Sequence, residues 1–133
     1  MKNERLLDSF ALVKFFREEP GYERVKHWLV EARRRENFLL VCELNAGEVF
    51  YVIGRENGIP KAEEILMLLS TLPLRMIPVT WELVLQAARL KAQYSLSYAD
   101  CMAAACAIHH QAILVTGDPE FRKVKHLLEI EWI

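Results

Sequence analysis

Cysteine is scarce and odd in number: Cys42, Cys101 and Cys106 are the only three in 133 residues, too few for a disulfide framework. Glycine and proline, five of each, are too sparse for a linker or a low-complexity tract. No charge of one sign predominates. Seventeen Lys and Arg stand against eighteen Asp and Glu, a net charge of −1, whereas a protein that holds nucleic acid by charge alone is usually basic. A phosphate-binding role would therefore need local basic patches, a bound cation, or both. No apolar run approaches the ~20 residues of a bilayer span. The opening Met1-Lys2-Asn3-Glu4-Arg5 leads into Leu6-Leu7-Asp8 without the apolar core of a signal peptide. A reducing, cytoplasmic setting is expected.

What the chain does have is apolar mass. With 53% hydrophobic and 26% charged residues, residues 1–133 read as one folded domain, long enough to bury about two thirds of its unfolded surface. Short apolar runs alternate with longer amphipathic segments. Strands are expected at Arg5–Leu7, Phe38–Cys42, Arg75–Val79, Ile113–Thr116 and Ile130–Ile133. Helices are expected at Ser9–Glu18, Tyr22–Glu36, Asn45–Glu56, Lys61–Ser70, Trp81–Tyr94 and Ser97–Gln111, with a short helix or turn at Phe121–Leu127. Strands alternating with helices imply a three-layer α/β/α sandwich around a mostly parallel sheet.

In such a sheet each strand rises to its C-terminal edge, and the helix after it starts there. Residues just after a strand, or in the first turn of the next helix, share one rim, where ligands bind. Four acids fall on it. Asp8 ends the first strand, Glu48 lies in the first turn of the Asn45 helix, Asp100 lies in the first turn of the Ser97 helix, and Asp118 follows Thr116-Gly117. Four converging carboxylates cannot all ionise without a counter-ion. A hard divalent cation, Mg²⁺ or Mn²⁺, suits such an oxygen-rich site and supports phosphodiester hydrolysis.

Each acid also has a capping explanation. Asp8 is a good N-cap; Glu48 and Asp100 each stand three residues after a capping residue, Asn45 and Ser97; Asp118-Pro119 is an ordinary helix start. Helix dipoles make acids commoner at this edge, but capping alone does not explain an acid from all four places. Other sites are excluded more firmly. Nucleotide-binding glycine loops are absent, Phe10 stands where an Asp-x-Asp phosphatase needs its second acid, and His27, His109, His110 and His126 show no metal-binding spacing. Cys101, Cys106 and the run Ala103-Ala104-Ala105-Ala107 read as small core residues that let a helix lie close to the sheet.

Three segments together carry a resemblance. Leu6-Leu7-Asp8-Ser9-Phe10-Ala11-Leu12-Val13, Asn45-Ala46-Gly47-Glu48-Val49-Phe50-Tyr51, and Leu96-Ser97-Tyr98-Ala99-Asp100 with Leu114-Val115-Thr116-Gly117-Asp118-Pro119-Glu120-Phe121 make the chain resemble the PIN-domain family. Within it, the resemblance is to the VapC-type toxins of prokaryotic toxin–antitoxin pairs. Over nearly the whole length it implies a Mg²⁺- or Mn²⁺-dependent endoribonuclease whose catalytic and metal-holding acids are Asp8, Glu48, Asp100 and Asp118. Thr116 and Ser9 fall at the supporting hydroxyls, with Thr116 orienting Asp8 or Asp118. The implied partners are an RNA substrate, a small antitoxin protein and a second copy of the chain. Glu43 reads as a solvated loop residue and Glu120 as a weaker candidate acid.

Lys14, Arg17, Arg122 and Lys123 are the basic groups nearest the rim by sequence, while Arg33-Arg34-Arg35 faces solvent toward the opposite rim. Two alternatives stay open: a PIN-fold module that only binds protein, through apolar groups such as Phe15-Phe16, Phe50-Tyr51 and Leu66–Leu69, or a housekeeping RNA-processing nuclease. A receiver-like phosphoacceptor domain is disfavoured, since Thr116-Gly117-Asp118 stands where it would carry a lysine.

Overall fold

The chain alternates short apolar strands with helices, and its central feature is one sheet. The computed structural model describes residues 4–133, so the opening Met1–Asn3 lies outside the described residues. Strands β1 (Arg5–Leu7), β2 (Leu39–Cys42), β3 (Leu74–Ile77), β4 (Ile113–Thr116) and β5 (Ile130–Trp132) form a five-stranded sheet in the order β3-β2-β1-β4-β5. Every pairing is parallel, with Leu6 opposite both Leu40 and Leu114. A parallel sheet is covered on both faces, so its central strands carry continuous apolar runs. Leu6, Leu7, all of β2, Leu114 and Val115 are buried.

Alternate strand residues feed two separate cores. Leu7, Val41 and Val115 pack under α1 (Ser9–Phe16), α2 (Tyr22–Arg34), α3 (Glu43–Asn57) and α4 (Ile59–Thr71). Leu6, Leu40 and Leu114 pack on the other face under α5 (Trp81–Gln93), α6 (Tyr98–His109) and the 3-10 helix Pro119–Val124. The expected three-layer architecture is the one observed. Residues 101–107 of α6 are all buried; four alanines there allow the close approach to the sheet that a larger side chain would block.

Most boundaries fall within two residues of the expected ones, and the departures have local causes. The first helix stops at Phe16, since Glu18 adopts a left-handed φ of 52° and Gly21, at 102°, opens α2. Helix α4 starts at Ile59 rather than Lys61 because Pro60 suits a first turn that lacks hydrogen-bonded N–H groups. The largest correction concerns α3. It begins at Glu43 directly after β2, with Cys42 at the N-cap, so Asn45 is an interior helix residue and not a cap. Glu48 is therefore in the second turn, and Glu43 is an exposed residue of the first turn rather than of a loop.

All three cysteines are buried free thiols. Of the triple arginine, Arg33 donates to the Thr71 carbonyl, while Arg34 and Arg35 pair with Glu31. No described helix is long and apolar enough to cross a membrane.

Candidate active site

Strand order reverses between β1, which is followed by β2 on one side, and β4 on the other. The crevice above such a switch point is where a parallel α/β sheet binds ligands. Asp8, Thr116 and Asp118 stand at its lip because β1 ends at Leu7 and β4 at Thr116.

Asp8 caps α1 and belongs to the acid cluster at once. One carboxylate oxygen accepts from the Ala11 N–H at 2.8 Å, and the other accepts the Thr116 hydroxyl at 2.5 Å. Thr116 Oγ1 in turn accepts the Asp118 N–H at 3.0 Å. One buried threonine thus ties the end of β1 to the chain just past β4. Asp118 repeats the pattern, accepting the Glu120 N–H at 2.9 Å and so starting the 3-10 helix.

Asp100 enters from α6. Its N–H donates to the Ser97 hydroxyl at 3.1 Å, which sets the start of the helix and leaves the carboxylate half-buried. Glu48 comes from α3, where Asn45 Nδ2 donates to its carboxylate at 3.4 Å and to the Ala99 carbonyl at 3.2 Å. That interior bridge is the feature that sequence reasoning missed by treating Asn45 as a cap. The available signal was the i, i+3 spacing, which puts Asn45 and Glu48 on one helix face.

The electrostatics link Asp8 and Asp100 to their acidic neighbours. Asp8 is only 2% exposed, and burial pushes its pKa up to about 7 against the hydrogen bonds from Thr116 and Ala11; the charges of Asp100 and Asp118 raise it further. Asp100 is pushed up to about 6, first by burial, then by Asp118, with Glu48 contributing. Asp8 and Asp100 thus both experience the charge of Asp118, Asp8 also that of Asp100, and Asp100 also that of Glu48.

The remaining candidates stand outside this group. Ser9 opens α1 beside Asp8, half-buried, with no hydrogen bond from its hydroxyl to the acids. Glu120 is exposed and pairs with Lys123 at 2.5 Å. The basic groups expected near the rim are largely engaged: Lys14 donates to the Pro20 carbonyl, Arg17 forks onto Glu56, and Lys123 also reaches the Ser95 carbonyl. The Arg122 guanidinium lies 5.9 Å from the Trp132 ring centroid.

Gly117 is required for a different reason. A Cβ there would meet Phe10 Cε1 at 2.5 Å and the Ile133 carbonyl oxygen at 2.9 Å. Its absence lets an aromatic ring that is 40% exposed lie against the chain between Thr116 and Asp118.

A PIN-domain family model matches residues 5–127, and the span includes every one of these acids. The chain belongs to the PIN-domain family. No curated protein matches the sequence. Among solved structures, this PIN domain is similar to VapBC2 from Rickettsia felis bound to a DNA fragment from their promoter, at TM-score 0.74 and 16% identity, covering 97% of this chain and 98% of that one. It is similar to DNA-bound VapBC from Salmonella typhimurium at TM-score 0.76 and 14% identity, covering 98% of each. It is also similar to VapC20 from Mycobacterium tuberculosis, a sarcin-ricin-loop-cleaving toxin, at TM-score 0.70 and 13% identity, covering 91% and 95%. At these identities the likeness is one of fold.

Among the described residues, no three acidic, histidine or cysteine side chains form a ready-made coordination shell. The donor set still fits a hard divalent cation. It offers carboxylate oxygens alone, and their mutual repulsion is the kind that a cation relieves.

Thr116 carries the most local consequence. Thr116→Val keeps the shape but leaves Asp8 Oδ2 and the Asp118 N–H without their partner. Unpaired buried polar groups of this kind lead to an expected loss of about 3 kcal/mol in unfolding free energy near pH 8. Thr116→Ser keeps the hydroxyl and is expected to lose about 1 kcal/mol for the missing methyl. Urea unfolding of the two variants checks the difference.

Proposed function

We propose that this PIN domain is a Mg²⁺- or Mn²⁺-dependent endoribonuclease, acting as the toxin of a toxin–antitoxin pair. The observation that carries the reading is the acid group at the switch point, Asp8, Glu48, Asp100 and Asp118, supplied by four different parts of the chain, in which Asp118 opposes the charge of both Asp8 and Asp100 and Glu48 opposes that of Asp100. Family membership and the likeness of fold to VapC toxin structures support a nuclease of the toxin–antitoxin kind.

Asp8, Asp100 and Asp118 would hold the cation, with Glu48 as a further ligand or as the acceptor of a proton from the attacking water. A bound divalent ion supplies a water of lowered pKa and a counter-charge for the phosphoryl oxygens. Thr116 keeps the Asp8 carboxylate fixed and favours its charged form by donating to it, and holds the backbone of Asp118 in register through the same oxygen. Ser97 fixes the start of α6 and with it the position of Asp100. Ser9, next to Asp8, would serve as a supporting hydroxyl. The exposed Phe10 ring beside Gly117 offers a stacking surface for an unpaired base, which makes single-stranded or looped RNA the substrate class. A second copy of the chain and a small antitoxin protein are the proposed protein partners.

Inducible expression in a bacterial host tests the toxin reading. The wild-type chain is expected to arrest growth and Asp118→Asn, expressed to the same level, is expected to leave growth unchanged. Equal arrest by both proteins overturns it.

A further inference from the structure

Asn45 sits where two layers of the fold meet. It is 1% exposed, on the third residue of α3, and its side chain reaches the first turn of α6 on the other side of the sheet's upper edge. Nδ2 faces two groups that only accept, the Ala99 carbonyl oxygen at 3.2 Å and the Glu48 carboxylate at 3.4 Å. Two acceptors fix which end of the amide is the NH₂. The consequence falls on the other end: Asn45 Oδ1 is buried with no hydrogen-bond partner among the described residues. A buried carbonyl oxygen without a donor is a standing cost, which an apolar side chain of similar size would avoid. Fold stability therefore does not account for an amide here.

Its two bonds do. Ala99 immediately precedes Asp100, so one amide spans from an acid on α3 to the residue beside an acid on α6. Glu48 is half-exposed, and its charge is among those raising Asp100. Released from the amide, a flexible glutamate side chain would swing from its like-charged neighbour toward water.

We propose that Asn45 is a positioning residue that holds Glu48 beside Asp100, so that both carboxylates face one divalent cation. The proposal rests on the metal-site reading above, and its readout does not involve RNA.

Mn²⁺ titration followed by electron paramagnetic resonance, on wild type, Asn45→Ala, Glu48→Gln and the double variant, tests it. Groups that orient metal ligands typically change affinity by about 10–100-fold. Asn45→Ala is expected to weaken Mn²⁺ binding by about 10-fold while melting, without metal, within a few degrees of wild type. The double variant is expected to bind no more weakly than Glu48→Gln alone, because the two residues act as one unit. Should Asn45→Ala fail to fold, Asn45→Leu fills the same space without the orphan oxygen and is expected to show the same loss.

Wild-type affinity in Asn45→Ala, losses that multiply in the double variant, or failure of both Asn45 variants to fold would each overturn the proposal. So would a wild-type protein that binds no Mn²⁺ at millimolar concentration. Wild type that binds Mn²⁺ but leaves RNA intact would instead overturn the nuclease reading, and the cycle would still decide the role of Asn45.

Discussion

Asp100→Asn is expected to remove RNA cleavage, by about 10²–10³-fold or more, while making the metal-free protein harder to melt. The two effects have one cause. In the folded chain Asp100 carries a charge that burial and the neighbouring Asp118 and Glu48 all oppose, so neutralising it relieves repulsion. An electrostatic group whose strength is concentrated on the reacting charges is worth 10²–10³ in rate when removed singly. Asparagine keeps the size of the side chain, and the Asp100 N–H still donates to Ser97, so helix α6 keeps its start. Thermal melting in EDTA near pH 8, alongside cleavage assays with Mn²⁺, checks both halves. A variant that melts lower and cuts normally would show that Asp100 has a structural role only.

The second large effect is the cancellation of a pH dependence on adding metal. Both shifted acids have folded-state values above their unfolded ones, about 7 for Asp8 and about 6 for Asp100. A carboxylic acid shifted upward holds its proton more tightly in the folded state. Its contribution is therefore full below the unfolded pKa, near 4, and is lost as pH rises through the folded value. Without metal, the melting temperature is expected to fall between about pH 4 and pH 7 from these two groups. A divalent cation competes with those same protons, so its affinity must rise over the same range.

From pH 5 to pH 8 the apparent Mn²⁺ affinity is expected to increase at least about 100-fold, as Asp8 alone gives up a proton held two pH units above the starting point. At a hundredfold excess over Kd the ion adds about 2.7 kcal/mol, roughly 8 °C in a chain of this size. Melting curves with EDTA or Mn²⁺ at pH 5, 6, 7 and 8 should therefore converge at the acid end and separate at the basic end. Parallel curves would mean that the cation, if bound, does not displace protons from Asp8 and Asp100.

Much of this architecture is legible in the sequence because parallel strands advertise themselves. Leu39–Cys42 and Ile113–Thr116 are unbroken apolar runs, and burial on both faces requires that. The acids stand out in the sequence for a related reason: Asp8 and Asp118 follow strands and Asp100 lies in the first turn of a helix, places that share one edge in this fold, whereas Glu48 lies in the second turn of α3. Asp8 shows why the capping and site readings could not be separated on sequence grounds. The same carboxylate caps α1 through one oxygen and accepts the Thr116 hydroxyl through the other.

Two things escaped. The start of α3 was displaced because Cys42 is not a residue type that signals an N-cap, and the strand runs into the helix without a loop. Through that displacement, a buried amide bridging two layers was mistaken for local capping. Its partner Ala99 is 54 positions away, and sequence spacing carries no information at that range. The basic residues near the rim read as solvated surface more than as an RNA grip, and the partners that Lys14, Arg17 and Lys123 take, Pro20, Glu56 and Ser95, are set by tertiary packing.

One comparison decides whether the acids at the switch point cut RNA. Purified wild-type protein and Asp118→Asn, prepared side by side, would be incubated with a defined looped RNA in Mn²⁺, in Mg²⁺ and in EDTA. Cutting by the wild type at discrete sites, abolished by EDTA, restored by excess metal and absent in Asp118→Asn, is the predicted result. Equal cutting by the two proteins, or cutting that persists in EDTA, would contradict it.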